Sequence, residues 1–145
     1  RPINTAVWGG NFARTTGADG KWIGIPTGYS AAIATFGTTQ AAPDTSYSPS
    51  TTADDLCTVI WPPIHSIEVT GVEFFFAQGG ATNTGHTVCL MRYDIDADGD
   101  LTNGVEVCDA EVSASQVLIA MIFCQTAING AMSAKCSLAY KESVV

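Results

Sequence analysis

Between Ser66 and Phe76 apolar side chains alternate with polar ones, and the alternation changes phase once: Ile67 and Val69 hold odd positions, Val72, Phe74 and Phe76 even ones. A period of two puts every second side chain on one face of an extended strand, and a helix cannot bury such a pattern on one side. The slip falls at Gly71, where one extra residue in a β-bulge keeps the apolar set on a single face. Pro62 and Pro63, just upstream, end any preceding strand. The segment reads as one long, half-buried strand, and such a strand needs partners.

The rest of the chain offers them. Runs rich in β-branched and aromatic residues recur at Thr5 to Trp8, Lys21 to Ile25, Ala31 to Phe36, Cys57 to Trp61, Thr87 to Tyr93 and Gly104 to Val112, separated by Gly, Pro, Asn and Asp. Gln116 to Ala127 and Met132 to Tyr140 flank Asn129-Gly130, the strongest short hairpin signal, and are predicted to pair across it. Val117 to Cys124 is a continuous apolar run that fits a buried strand or a short helix equally by periodicity, and the Asn-Gly turn favours the strand. At eight residues the run is far short of the roughly 20 that a membrane helix needs. The predicted fold is all-β: an antiparallel β-sandwich or jelly roll over residues 1–145 as one domain. Residues 37–55, rich in Thr, Ser, Ala and Pro, read as a long exposed loop, a candidate for O-linked glycans in a secreted protein.

Charge narrows the partners. The chain carries 6 basic and 14 acidic residues, a net −8, and has no basic patch, which excludes the phosphate chemistry of nucleic-acid binding. Only 14% of residues are charged and the mean hydropathy is +0.20, so much of the surface is Thr, Ser, Gly, Ala and apolar atoms. Surfaces of that kind suit crowded assemblies better than free monomers held apart by mixed charge. The chain opens at Arg1, with no Met and no basic-then-apolar leader, and is expected to be a processed, secreted form.

Five cysteines without a C-x-x-C or His-containing zinc spacing point to disulfides in an oxidising compartment. The pairs Cys89–Cys108 and Cys124–Cys136 would tie two hairpins, with Cys57 left over as a buried thiol or a bond between subunits. If Cys89 and Cys108 face each other, Leu90 lies opposite Val107 and the hairpin turns between Asp98 and Gly99.

Seven of the fourteen acids lie between positions 94 and 111, most of them at that tip. The run Asp94-Ile95-Asp96-Ala97-Asp98-Gly99-Asp100-Leu101-Thr102-Asn103-Gly104-Val105-Glu106 resembles the D-x-D-x-D-G calcium loops of EF-hands, dockerins and related repeats. The resemblance covers 13 residues. It implies Asp94, Asp96, Asp98 and the carbonyl of Asp100 as ligands, with Thr102 or Glu106 completing the shell. Where an EF-hand has its bidentate acid this chain has Val105, and the flanks read as strands, so a calcium loop between strands is expected.

No pattern of nucleophile and base appears. His65 and His86 stand apart from any metal or triad motif, and Glu68 and Glu73 fall on the solvent face of the bulged strand. Trp8, Trp22 and Trp61 with Tyr29 and Tyr47 could make a sugar-stacking platform, Trp22 and Trp61 above all, yet a β-sandwich of this size needs tryptophan in its core as well. The expected role is a non-enzymatic structural subunit of an extracellular assembly of copies of itself, such as a filament, pilus, surface layer or virion coat, with a calcium-stiffened loop. The alternative is a calcium-dependent carbohydrate-binding module. A short apolar segment near either end, such as Ile3 to Trp8 or Leu138 to Val145, is expected to add to a neighbour's exposed sheet edge.

Overall fold

The computed structural model describes residues 3–13, 20–25, 34–48, 63–78, 87–107, 111–124 and 131–143. Among them the chain forms strands β1 (Asn4–Ala13), β2 (Lys21–Gly24), β3 (Thr35–Gly37), β4 (Ile67–Gln78), β5 (Thr87–Ile95), β6 (Leu101–Glu106), β7 (Glu111–Val112), β8 (Gln116–Cys124) and β9 (Ala131–Glu142). No helix occurs among these residues, so none is present to cross a membrane. Two antiparallel sheets result, one in the order β1-β9-β4-β7 and one in the order β3-β2-β8-β5-β6.

The long alternating strand is where its pattern places it. β4 pairs with β9, Val69 opposite Tyr140 and then Gly71 opposite Ala139, so Thr70 is the extra residue of a bulge. Ile67, Val69, Val72 and Phe74 all face the core side, while Glu68, Glu73 and Phe75 are exposed on the other face. The inner side chains meet those of the second sheet in one cluster, with Leu138, Cys136 and Ala134 from β9, Leu118, Ala120 and Ile122 from β8, Ile23 from β2 and Leu90 from β5. The two sheets therefore share a core in a sandwich-like arrangement.

β8 explains its own unbroken apolar run. Its even residues Leu118, Ala120 and Ile122 enter the inter-sheet cluster, and its odd residues Val117, Ile119, Met121 and Phe123 enter a second cluster on the far face of the same sheet. A strand buried on both faces has no polar side to show, which is why periodicity could not identify it. The second cluster, with Trp22, Phe36, Met91 and Tyr93, is sealed by residues 34–48 crossing over it. Trp22 Nε1 donates to the Thr39 carbonyl at 2.6 Å, Tyr93 Oη donates to the Asp44 carbonyl at 2.7 Å, and Tyr47 bridges to Leu101 with both backbone bonds at 2.8 Å. The described part of the Thr/Ser-rich segment, 37–48, is thus exposed on one side and a lid on the other. Residues 49–55 lie outside the described residues, as do Cys57 to Trp61 and the Asn129-Gly130 turn.

Two expectations are corrected. β8 and β9 do not form a hairpin: β8 lies between β2 and β5, and β9 lies in the other sheet between β1 and β4. Being apolar on both faces, β8 takes the centre of its sheet rather than the partner nearest in sequence. The disulfides are not formed either, since Cys89 and Cys136 are free buried thiols. Cys136 sits in the inter-sheet core on β9 and Cys89 in the outer cluster on β5, each enclosed by apolar neighbours. Cys57 and Cys108 lie outside the described residues, as does the side chain of Cys124. Of the two terminal segments, Asn4 to Trp8 pairs with Tyr140 to Cys136 at the edge of the sheet, and Leu138 to Glu142 belongs to its central strand β9.

Candidate metal centre

The acidic loop is the tip of the β5–β6 hairpin. The register is the predicted one, Met91 opposite Glu106 and Arg92 opposite Val105, and Val107 N–H donates to the Leu90 carbonyl at 2.8 Å. Beyond Arg92 the register shifts, with Asp94 opposite Thr102, so Asn103 and Gly104 together oppose Tyr93. Asn103 takes a left-handed conformation, φ 53°, which Asn tolerates better than most residues. A Cβ on Gly104 would stand 2.4 Å from Tyr93 Cε1, so only glycine lets the buried Tyr93 ring lie against the strand and reach Asp44.

At the tip Gly99 N–H donates to the Asp96 carbonyl at 3.1 Å, Asp96 N–H donates to the Asp100 carbonyl at 3.0 Å, and Gly99 has φ 84°. This is a three-residue hairpin loop, Ala97-Asp98-Gly99, with glycine at the left-handed position. Asp96 organises it, because its Oδ1 accepts from the backbone N–H groups of Asp98 and Asp100, both at 2.9 Å. Asp96 is thereby accounted for by turn chemistry. Asp98 and Asp100 are not.

Asp96, Asp98 and Asp100 each bring one carboxylate oxygen to within 4.8 Å of the others, near enough to share one small cation. At that spacing each pair of charges repels by about 0.9 kcal/mol in bulk water, less after salt screening, so an empty tip carries a modest cost. The donors are all oxygen, the preference of hard cations such as calcium and not of zinc or copper. The other residues that the calcium-loop resemblance implied lie elsewhere. Asp94 accepts from Gln116 Nε2 at 2.7 Å and from Asn103 Nδ2 at 3.1 Å, and these bonds, with nearby Arg92, hold its carboxyl below the usual range. Thr102 is half-buried opposite Asp94. Glu106 is at the far end of β6 from the tip, exposed, opposite Met91 and beside Cys89. No spacing in the sequence signalled Gln116 as the partner of Asp94, 22 residues away. The Asn-Gly pair at 103–104 was a usable signal for the bulge.

The remaining candidates are dispersed. Trp22 is 1% exposed, edge-on to Phe123 at 5.5 Å between ring centroids, so it cannot stack on a sugar. Trp61 and His86 lie outside the described residues, and His65 is exposed. Glu68 and Glu73 are exposed, opposite Lys141 and Ser137 on β9. No family model, no curated protein and no solved structure matches the chain.

Proposed function

We propose that this protein is a structural subunit of an extracellular assembly built from copies of itself, with calcium stiffening the β5–β6 tip. The observation that supports the reading is β1. It is a ten-residue strand at the edge of its sheet, it contains no charged residue and no proline, and among the described residues nothing pairs with its side away from β9. Val7 within the strand and Ile3 just before it are 57% and 62% exposed. Proteins that stay monomeric usually blunt such an edge with charge, proline or a bulge. Negative-stain electron microscopy of the concentrated protein, with calcium and with a chelator, is expected to show regular filaments, lattices or shells. Dispersed small particles in both samples would overturn the reading.

Asp96, Asp98 and Asp100 are the proposed calcium ligands, with water and backbone carbonyls filling a shell of six to eight oxygens. Because the loop offers few carboxylates and Asp96 has one oxygen engaged, affinity belongs at the weak end for extracellular modules, about 0.1–1 mM. Calorimetric titration should give a dissociation constant in that range, weakened at least tenfold by Asp98→Asn. Asp96→Ala should in addition cost about 1 kcal/mol of stability in the presence of chelator, because it removes the two turn bonds whether or not calcium is present. Undetectable binding at 10 mM calcium would dismiss the metal and leave only the turn.

A further inference from the structure

We infer that copies of this chain join head to tail through the edges of the four-stranded sheet, the free side of β1 in one copy adding to the open side of β4 in the next. The inference rests on the assembly reading and specifies its joint.

The sheet ends differently at its two sides. At one side stands β1, with ten residues and no charge. At the other, β4 has twelve residues, of which only Ile67 and Glu68 pair with β7. Among the described residues, the ten positions from 69 to 78 present an edge with no partner, equal in length to β1. Beside that edge the space between the sheets stays open as a groove of about 350 Å³, lined by Val69, Val72, Phe74, Val88, Leu90 and Val107. Val72, Phe74 and Val88 are only half-buried there, apolar side chains that another strand would cover.

Charge selects which edge meets which. The charged side chains of β4 and β7 are all acidic: Glu68 and Glu73 stand exposed on β4, and Glu111 stands opposite Glu68. Two β4 edges brought together would face these carboxylates with their like. Residues 1–18, by contrast, contain Arg1 and Arg14 and no acid in a chain of net charge −8. An uncharged strand within a net-positive stretch complements an acid-rimmed edge.

The topology allows the joint. β1 and β4 are both antiparallel to β9 and so run in the same direction. A copy shifted sideways without turning over brings its β1 alongside β4 as a parallel pair and makes one continuous sheet. Since each copy offers one edge of each kind, the contact is heterologous and repeats without closing, as in a fibre.

The test uses two substitutions. Val7→Glu places a carboxylate at an exposed site on β1, where it would meet the acidic rim. Val72→Lys places a lysine at the half-buried groove position, an inward-pointing charge that blocks an edge. Circular dichroism establishes that each variant is folded. In sedimentation velocity the wild-type protein should form a concentration-dependent series of polymers, each variant alone should be monomeric, and an equimolar mixture should give heterodimers, each through its one intact pair of edges. A variant that dimerises alone shows a two-fold joint between like edges and overturns the proposal, as does a mixture that stays monomeric. Polymers that survive both substitutions overturn this joint and leave the assembly reading standing. A wild-type protein monomeric at every concentration overturns both.

Discussion

Raising the pH from 9 to 11 under reducing conditions is expected to destabilise the protein by roughly 2–3 kcal/mol per pH unit. The source is the pair of buried thiols. Burial pushes both Cys89 and Cys136 from 9.0 up to about 12, and for Cys89 the nearby Glu106 carboxylate adds to the rise. Below pH 9 both states hold the two protons and stability is unaffected. Between 9 and 12 the unfolded chain releases them while the folded chain keeps them, so unfolding is favoured by one proton per thiol, about 1.36 kcal/mol per pH unit each. Two such thiols against a usual domain stability of about 5–15 kcal/mol leave little margin. Urea melts at pH 8, 9, 10 and 11 would read the slope, and Cys89→Ala with Cys136→Ala should largely flatten it. A midpoint unchanged between pH 9 and 11, or a slope indifferent to the two substitutions, would show that these thiols do not titrate as buried groups. The same enclosure predicts that neither is alkylated at pH 8 until the protein unfolds.

What could be read in advance was whatever repeats locally. The bulge beside Gly71 was legible because a one-residue slip in an alternating strand has one economical cause, and the fold has it between Val69 and Gly71. The β5–β6 register was legible for a reason that did not hold. Placing Cys89 opposite Cys108 put Met91 against Glu106 as observed, although Cys89 is a free thiol. What carried the register was the turn at Asp98-Gly99, where three loop residues with glycine in the left-handed position leave few alternatives. The acidic tip was legible through the same residues, but not the division of labour within it. Asp96 serves the turn within the loop itself, Glu106 stands opposite Met91 at the far end of the hairpin, and Asp94 is taken by Gln116 on β8, a partner that depends on a strand distant in sequence. The misplaced β8–β9 pair has the same origin. An Asn-Gly turn favours a neighbour, whereas a strand apolar on both faces is drawn to the middle of a sheet.

That central strand should also be where single substitutions cost most. Leu118→Ala and Ile119→Ala are each expected to lower stability by about 3 kcal/mol, because both side chains are 0% exposed and the space they leave cannot refill between two close-packed layers. The two residues are adjacent in sequence but enter different clusters, Leu118 the one between the sheets and Ile119 the one under residues 34–48. Because the two clusters have no residue in common, their costs should add to about 6 kcal/mol, which brings the double variant to the edge of unfolding. Val105→Ala, on the exposed side of β6 at 42% exposure, should change little and serves as the control. Urea denaturation followed by tryptophan fluorescence in a Trp8→Phe, Trp61→Phe background tests more than the magnitudes, since Trp22, there the sole tryptophan, lies in the second cluster and circular dichroism reports both sheets. If β8 is the wall common to both clusters, neither layer can melt without it, and the two signals should coincide for every variant. Transitions that separate in Ile119→Ala would mean that the second cluster unfolds by itself, and that residues 34–48 are a cover laid over a finished sandwich rather than part of its cooperative core.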